Sequence, residues 1–249
     1  MTMAAASTVL AVDLGTSGAK AAVFSESGAV LASAFRRTTL RLVPGGGAEQ
    51  DPHEWWQAIL EVSQRCLAAS GVDRSGVRAI GVTAQWSGTV AVGSDGEPLH
   101  PALIWMDSRG APNIDRITGT TFGLLPYGLR RAARWISLTG GAPAKSGKDS
   151  LAHILYLREH APGVYEKTRH FLEPKDYINY RLSGVTAASF DSIALHWVTD
   201  NRAVDRVAYH PTLLAYAELE RDKLPPLCKA TDVLGPLRRD VAERLGLGP

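Results

Sequence analysis

Val9-Leu10-Ala11-Val12-Asp13-Leu14-Gly15-Thr16-Ser17-Gly18-Ala19-Lys20-Ala21-Ala22-Val23-Phe24 is the segment that decides the fold. Two apolar runs flank a Gly-Thr-Ser-Gly turn, and a third run, residues 29–35, follows a second short turn. Apolar runs of this length, joined by turns this short, predict three antiparallel strands. The glycine turn joins two strands, whereas the glycine loop of the common nucleotide-binding motifs opens a helix.

The turn and the aspartate before it have the composition of a phosphate site. Gly15 and Gly18 allow the backbone to approach a ligand closely. The turn N–H groups and the Thr16 and Ser17 hydroxyls could then point at a phosphate. Asp13, at the end of its strand, could hold a hydrated Mg²⁺ beside that phosphate. An ordinary hairpin with a polar turn explains the same residues, so the pattern alone leaves both interpretations open.

Composition excludes several classes of protein. The chain has 249 residues, enough for one large domain or two small ones. A net charge of +2 gives no general attraction to nucleic acid or to anionic membranes. No stretch has the ~18 apolar residues that a membrane span needs. Cys66 and Cys228 lack metal or redox spacing, which indicates a reducing compartment. We therefore expect a cytoplasmic protein without nucleic-acid or membrane partners.

The pattern along the chain predicts a mixed α/β sheet followed by a helical second half. Residues 36–50 are polar and glycine-rich and are predicted to form a loop. Asp51 and Pro52 begin a helix, where Glu54 can close a capping box. Strands are predicted at residues 77–83, 89–93 and 102–105, with helices on the faces of the sheet. From residue 111 onward we expect mainly helices, at residues 151–160, 175–183, 211–221 and 237–245.

Two polar and aromatic stretches follow predicted strand ends, where α/β folds place ligands. They are Gln85-Trp86-Ser87-Gly88 and Trp105-Met106-Asp107-Ser108-Arg109. Indole rings suit the C–H faces of a polyol, and the amide, carboxylate and guanidinium groups suit its hydroxyls. The alternative is that the tryptophans belong to the core and that Asp107 and Arg109 form an ion pair at a loop.

A third candidate is Asp191, which stands among apolar and small residues in Phe190-Asp191-Ser192-Ile193-Ala194. A carboxylate in such a place can act as a general base toward a hydroxyl. It can equally serve as the N-cap of the following turn. Spacing does not decide between these two roles.

Residues 142–150 contain Gly147-Lys148 and resemble a Walker loop at first sight. Ala142 stands where that motif needs glycine, and Asp149 stands where it needs serine or threonine. No predicted strand precedes the segment. We interpret it as a solvated loop.

Taken in order, the motifs resemble the amino-terminal domain of the FGGY carbohydrate kinases. The resemblance is collinear over nearly the whole chain, and Pro174-Lys175-Asp176-Tyr177 belongs to its most specific part. The matching segments are residues 11–20, 49–56, 80–85, 105–109 and 172–184. The resemblance implies an actin-like ATPase fold, which is ribonuclease H-like, with two such domains closing over a cleft.

The resemblance also implies an activity and the residues that carry it. Family members transfer the γ-phosphate of ATP, with Mg²⁺, to a hydroxyl of a sugar or polyol. The implied catalytic residue is Asp191, which would orient the attacking hydroxyl and accept its proton. Asp13 is implied to lie beside the metal. The cofactor side is implied to comprise Asp13, Gly15, Thr16, Ser17 and Lys20. The substrate side is implied to comprise Gln85, Trp86, Ser87, Trp105 and Asp107.

Some positions depart from the family pattern. Xylulokinases usually have Met-His and glycerol kinases Arg-Glu where this chain has Trp86-Ser87. Glycerol is therefore disfavoured, and a ketose such as xylulose is the best single expectation. Residues 119–145 are longer than usual, and their arginines at 130, 131 and 134 are interpreted as a solvated face, the alternative being a partner surface.

Family members are much longer than this chain. We therefore expect a tail at residues 1–7, the sugar-binding amino-terminal domain at residues 8–249, and the carboxy-terminal ATP-binding domain absent from this chain. ATP would then bind through that second domain. The sequence does not decide whether the chain forms a homodimer. The alternatives are a non-catalytic sugar-binding or regulatory module of the same fold, and an interaction protein that uses the arginine-rich segment 129–135.

Overall fold

The computed structural model describes residues 7–119 and 128–248. Of the expected tail, only Ser7 falls within these residues; the rest lies outside them. The strands are β1 (Thr8–Gly15), β2 (Gly18–Ser25), β3 (Val30–Arg37), β4 (Arg41–Val43), β5 (Gly47–Gln50), β6 (Val77–Ala84), β7 (Val90–Val92), β8 (Ala102–Leu103), β9 (His170–Leu172), β10 (Ala188–Ser189), β11 (Thr199–Asp200), β12 (Ala208–Tyr209) and β13 (Leu227–Cys228). The helices are α1 (Pro52–Ala69), α2 (Ala111–Thr118), α3 (Leu129–Thr139), α4 (Ser150–His160), α5 (Pro162–Lys167), α6 (Pro174–Ser183), α7 (Pro211–Ala217) and α8 (Arg239–Leu245). Short 3-10 helices lie at Arg74–Gly76, Ser192–His196 and Arg221–Lys223.

The main sheet has the order β3-β2-β1-β6 and contains the predicted meander. β1 and β2 pair antiparallel, with Asp13 opposite Lys20, and β6 lies parallel to β1. Gly18 is required at the turn, because a Cβ atom there would lie 2.2 Å from the Arg36 carbonyl oxygen. The expectation of a mixed α/β sheet is confirmed.

Helix α1 begins as predicted and covers one face of this sheet. The Asp51 carboxylate accepts a hydrogen bond of 2.8 Å from the His53 N–H, and Pro52 occupies the first turn. The predicted capping box is wrong: the Glu54 carboxylate accepts from the N–H and hydroxyl of Thr39 instead. Glu54 therefore ties the helix to the segment after β3. The buried face of α1 includes Trp55, Ile59, Val62, Cys66 and Leu67.

The predicted loop at residues 36–50 contains two strands. β4 pairs with β5, and β5 pairs on its other edge with β8, so it is buried along its length. Gly45 and Gly46, both at positive φ, form the turn between β4 and β5. Sequence missed these strands because their partner, β8, lies about fifty residues later and no alternating pattern marks them.

The second half is mainly helical, as expected, and has a core of its own. Its largest buried side chains include Trp135, Phe171, Ile114, Ile117 and Leu138. Helix α7 ends at Ala217, earlier than predicted, because Glu218 adopts φ 54° and its carboxylate bonds Arg116 and Arg158. Among residues 7–119 and 128–248, no helix combines the length and apolarity needed to cross a membrane.

The arginine-rich segment lies on α3. Arg131 donates to the Ile117 carbonyl oxygen and its guanidinium stands 5.1 Å from the centre of the Tyr216 ring. Arg130 and Arg134 are exposed. This arrangement agrees with a solvated face that Arg131 anchors to the helical core.

Candidate functional site

A chain of hydrogen bonds joins the glycine turn to both predicted strand-end stretches. The Trp105 indole N–H donates to the Thr16 hydroxyl (2.9 Å), which donates to the Gln85 side-chain oxygen (3.0 Å). The Gln85 amide donates to Gln50 (2.7 Å), whose own amide donates to the Thr16 carbonyl oxygen (2.9 Å). Thr16, Gln85 and Trp105 therefore meet, although they are far apart in sequence. Since the Thr16 hydroxyl already donates its proton to Gln85, a phosphate at this turn would rely on the Ser17 hydroxyl and the backbone N–H groups.

The polar groups on the open side of the turn are Asp13, Ser17 and Lys20. Lys20 Nζ stands 4.0 Å from an oxygen of Asp13, and both side chains are largely exposed. Gly15 is half-buried and Ser17 is exposed. In the described part of the chain, no three His, Cys, Asp or Glu side chains cluster as metal ligands. One exposed carboxylate still fits Mg²⁺, which keeps several waters and takes its other ligands from phosphates.

A pocket of about 270 Å³ is connected to this turn through Gln85, which accepts a hydrogen bond from the Thr16 hydroxyl. It brings Gln85 and Trp86 together with Asp191, which comes from the other half of the chain. Its wall also includes Thr83, which is the pairing partner of Asp13 in the sheet. The lining residues are Thr83, Ala84, Gln85, Trp86, Glu173, Lys175, Asp191 and Ser192. Trp86 and Trp105 are 54% and 44% exposed, so neither belongs to the core.

The Asp191 carboxylate is ionised and paired. Lys175 Nζ donates to Asp191 Oδ2 at 2.5 Å. Partial burial raises the pKa of Asp191, but hydrogen bonds from Lys175 and Ser189 outweigh it and leave the pKa below its usual value. Asp191 precedes the 3-10 helix Ser192–His196, yet its side chain makes no capping hydrogen bond there. The N-cap alternative is therefore not what the geometry shows.

Asp107 does not face the pocket, contrary to the expectation from sequence. It is fully buried and accepts hydrogen bonds from the Ala48 N–H (3.0 Å) and from Arg109 (2.6 Å). Arg109 also donates to Glu49 at 2.8 Å. Both oxygens of Asp107 are thus occupied in holding β5 against the loop after β8. The ion-pair alternative is correct for this residue.

Ser87 is also removed from the pocket. It is buried, has φ 62°, and donates its hydroxyl to the Lys148 carbonyl oxygen at 2.6 Å. The segment it holds, predicted as a solvated loop, is packed: Asp149 accepts from the Ala144 N–H (2.8 Å) and the Trp197 indole (2.7 Å). Burial raises the pKa of Asp149. The predicted solvated loop is therefore wrong, because these contacts come from distant residues.

Among the pocket residues that sequence reasoning missed, two are charged: Glu173 and Lys175. Glu173 is 2% exposed and accepts from the Gly88 N–H at 3.0 Å and from the Ser150 hydroxyl. Burial raises its pKa to about 8. Both residues lie in the 172–184 segment that carries the resemblance, and a charged residue directly before Pro174 was the available signal.

A larger groove of about 500 Å³ runs along the edge of β6 and residues 228–237. It shares Thr83 and Lys175 with the pocket but contains none of the predicted site residues. Three of the predicted site residues, Gln85, Trp86 and Asp191, meet in the smaller pocket together with other polar groups. A few convergent polar groups in a concave site are typical of ligand binding. We therefore take the pocket as the candidate site.

The chain is similar to known proteins over almost its whole length. The FGGY family of carbohydrate kinases, N-terminal domain, matches residues 8–249. The chain is 29% identical to the xylulose kinase of Bacillus subtilis over 96% of its length and 45% of that protein's. It is 31% identical to the xylulose kinase of Streptomyces rubiginosus, covering 92% of this chain and 44% of that protein.

Among solved structures, the xylulose kinase of Rhodospirillum rubrum superposes with a TM-score of 0.83 at 23% identity. The superposition covers 97% of this chain and 46% of that one. The actin-like ATPase fold expected from sequence is thereby confirmed. The chain spans about half the length of the curated relatives it matches. The family match extends over almost every residue, and the chain therefore belongs to the FGGY family of carbohydrate kinases, as its N-terminal domain.

Proposed function

We propose that this chain is the sugar-binding part of an ATP-dependent carbohydrate kinase and that the pocket connected to the glycine turn through Gln85 holds the sugar. The single observation that carries the proposal is the convergence of Gln85, Trp86 and Asp191 in that pocket. Its volume of about 270 Å³ is near the lower end of ligand pockets, roughly 300–1,000 Å³, and suits a small polyol. Xylulose is the proposed substrate because the curated relatives matched here are xylulose kinases.

The proposed roles follow from the exposure of each group. Trp86 and Trp105 offer ring faces to the C–H groups of the sugar, since both are exposed near the Thr16–Gln85 bond. Asp191 accepts a hydrogen bond from the hydroxyl to be phosphorylated. Its lowered pKa makes it a weak base, so we assign it chiefly to orienting that hydroxyl. Positioning and charge neutralisation supply most of the rate in phosphoryl transfer.

The turn would take the nucleotide side. Backbone N–H groups at Gly15 and Ser17 would approach the phosphates, with Lys20 near them. Asp13 would offer a carboxylate to Mg²⁺, which would neutralise charge on the transferred phosphoryl group. We further propose that the adenosine part of ATP is bound outside residues 8–249, because the relatives are about twice as long.

The test compares two polypeptides from the same reading frame. Residues 1–249 alone are expected to bind xylulose in a calorimetric titration but to give no appreciable phosphate transfer with Mg·ATP. The longest polypeptide that the reading frame encodes is expected to phosphorylate xylulose at a rate in the ordinary enzyme range of about 1–10³ s⁻¹. Gluconate and glycerol serve as the comparison ligands.

Each outcome separates the proposal from its alternative. Sugar binding without phosphate transfer in the longest polypeptide favours a non-catalytic sugar-binding or regulatory module. No binding of any of the three compounds by either polypeptide contradicts the assignment of the pocket. Turnover near 1 s⁻¹ by residues 1–249 alone contradicts the proposal that ATP needs a binding site outside these residues.

A further inference from the structure

Trp86 is held over the pocket by the two residues that follow it. Ser87 is buried in a left-handed conformation, and its hydroxyl is bonded to the Lys148 carbonyl oxygen. Gly88 lies directly against Pro174, because a Cβ at Gly88 would stand 2.5 Å from Pro174 Cγ. Trp86, in contrast, is more than half exposed. The direction of its indole therefore depends on how firmly Ser87 and Gly88 are anchored beneath it.

Glu173 and Ser150 close this anchor. The Gly88 N–H donates to Glu173 Oε2 at 3.0 Å. Ser150 Oγ is within hydrogen-bond distance of Glu173 Oε1 and lies 3.3 Å from the Gly88 carbonyl oxygen. The three residues form a ring that includes both backbone groups of Gly88. All three are buried, so no bulk water substitutes for a missing bond.

The ring can be completed only with one proton on Glu173. Ser150 has a single hydroxyl proton, which cannot serve both the glutamate and the Gly88 carbonyl. With Glu173 protonated, its O–H donates to Ser150, and Ser150 is free to donate to Gly88. With Glu173 ionised, Ser150 turns its proton to the carboxylate and the Gly88 carbonyl oxygen loses its donor. The raised pKa of Glu173, about 8, agrees with the protonated form at neutral pH.

We propose that Glu173 is a positioning residue of the sugar pocket, whose protonated side chain closes a hydrogen-bonded ring with Gly88 and Ser150 and so holds Trp86 over the bound sugar. This inference rests on the proposed function. Glu173 also lines the pocket wall, next to Lys175 and Asp191. Ionisation of Glu173 is expected to loosen the Trp86 loop and to weaken sugar binding.

Burial raises the pKa of Glu173 and outweighs the hydrogen bonds from Ser150 and from the backbone N–H groups of Ser87 and Gly88, which lower that pKa. His196 Nδ1 stands 4.0 Å from Glu173 Oε1, but burial lowers the pKa of His196 to about 3 and keeps it neutral. Burial raises the pKa of the nearby Asp176 to about 7, and its charge would repel that of Glu173. The titratable groups around Glu173 come from three elements. Lys175 and Asp176 lie on α6, His153 and Asp149 belong to α4 and its N-cap, and Asp191 and His196 belong to the 3-10 helix Ser192–His196 and the residue directly before it.

The test uses the 249-residue chain with xylulose as the probe. Between pH 7 and pH 9 the parent is expected to lose affinity about tenfold, as a single group with a pKa near 8 predicts. Glu173→Gln is expected to bind within about twofold of the parent at pH 7 and to stay flat to pH 9, since its amide donates to Ser150 as the protonated acid does. Because Asp176 is unchanged in both proteins, the difference between their pH profiles isolates Glu173. Glu166→Gln, an exposed carboxylate on α5, is the matched control and should follow the parent.

A second readout does not depend on sugar. The Gly88 amide should be protected from hydrogen exchange at pH 7, and its protection factor should fall by pH 9 in the parent but not in Glu173→Gln. Glu173→Leu should bind xylulose at least about tenfold more weakly at pH 7 and expose the Gly88 amide, because it removes a partner of a buried N–H. If it fails to fold, Ser150→Ala breaks the same ring from its other side and should weaken binding in the same direction.

Parallel pH profiles for the parent and Glu173→Gln would overturn the proposal. So would a folded Glu173→Leu, or a Ser150→Ala, with parental affinity and parental Gly88 protection. If no protein binds xylulose while Gly88 protection still falls with pH only in the parent, the positioning role of Glu173 stands and the proposed sugar is wrong. If xylulose binds and Gly88 is unprotected in the parent, the sugar proposal stands and the positioning role is wrong.

Discussion

Asp107 and Arg109 form an ion pair with the same spacing as Asp200 and Arg202, but in a very different environment. In each pair the guanidinium donates to the carboxylate through both Nε and Nη2, with a shortest distance of 2.6 Å. The Asp107 side chain is 0% exposed and that of Arg109 11%, whereas the Asp200 and Arg202 side chains are 25% and 65% exposed. The spacing therefore determines the geometry of an Asp-x-Arg pair, and burial determines how much the pair contributes to stability.

The two pairs also have different neighbours. Asp107 accepts from the Ala48 N–H, and Arg109 reaches Glu49, so the pair joins the loop after β8 to β5. In the described part of the chain, the Asp200 carboxylate accepts hydrogen bonds from Arg202 alone, and those bonds lower the pKa of Asp200 to about 2. The buried pair holds two distant segments together, and the surface pair stabilises its own turn.

The largest effect expected from this comparison is on stability. Asp107→Ala should lower the free energy of unfolding by about 3–5 kcal/mol, because it leaves the buried Arg109 and the Ala48 N–H without their partner. The matched variant Asp200→Ala should leave the thermal midpoint close to that of the parent, as is usual for exposed pairs. Chemical denaturation of both variants checks this. Equal losses of stability in the two variants would contradict the comparison.

A smaller effect is expected on binding, from the exposed residues. Trp86→Ala and Trp105→Ala should each weaken xylulose binding by about 1–3 kcal/mol, because each would remove an apolar wall of the proposed sugar site. Since both indoles are exposed, the free energy of unfolding should change little in either variant. Calorimetric titration measures the loss, and Ile136→Ala, exposed on α3 away from the pocket, is the control. If both tryptophan variants bind as tightly as the parent, the sugar lies elsewhere.

The smallest effect belongs to the ion pair on the glycine hairpin. Lys20 and Asp13 are 4.0 Å apart and largely exposed. Lys20→Met should therefore change the free energy of unfolding by less than about 0.5 kcal/mol. The affinity of the Lys20→Met variant for xylulose should equal that of the parent. Urea unfolding and the same titration test both points. A large loss of stability in Lys20→Met would contradict the argument that an exposed ion pair contributes less to stability than a buried one.

Local patterns were enough to predict the hairpin, the start of α1 and the family. Each depends on neighbouring residues: the apolar runs around Gly15 and Gly18 define strands, and Asp51-Pro52 defines a helix start. The motifs at 11–20 and 172–184 indicated the family because their order in the chain is itself informative. Gln85, Trp86 and Asp191 were selected from sequence, and they share one pocket.

What the sequence alone determined is the hairpin, the start of α1, the family and a set of candidate site residues. Only the tertiary structure decided which of those residues face the pocket. Asp107 and Ser87 follow strand ends, as Gln85 and Trp86 do, yet they are buried and bonded to Ala48 and Lys148. Glu173 lacked a motif of its own, yet folding places it against Gly88. Exposure, and with it the cost of leaving a polar group unpaired, depends on segments that meet only in the folded chain.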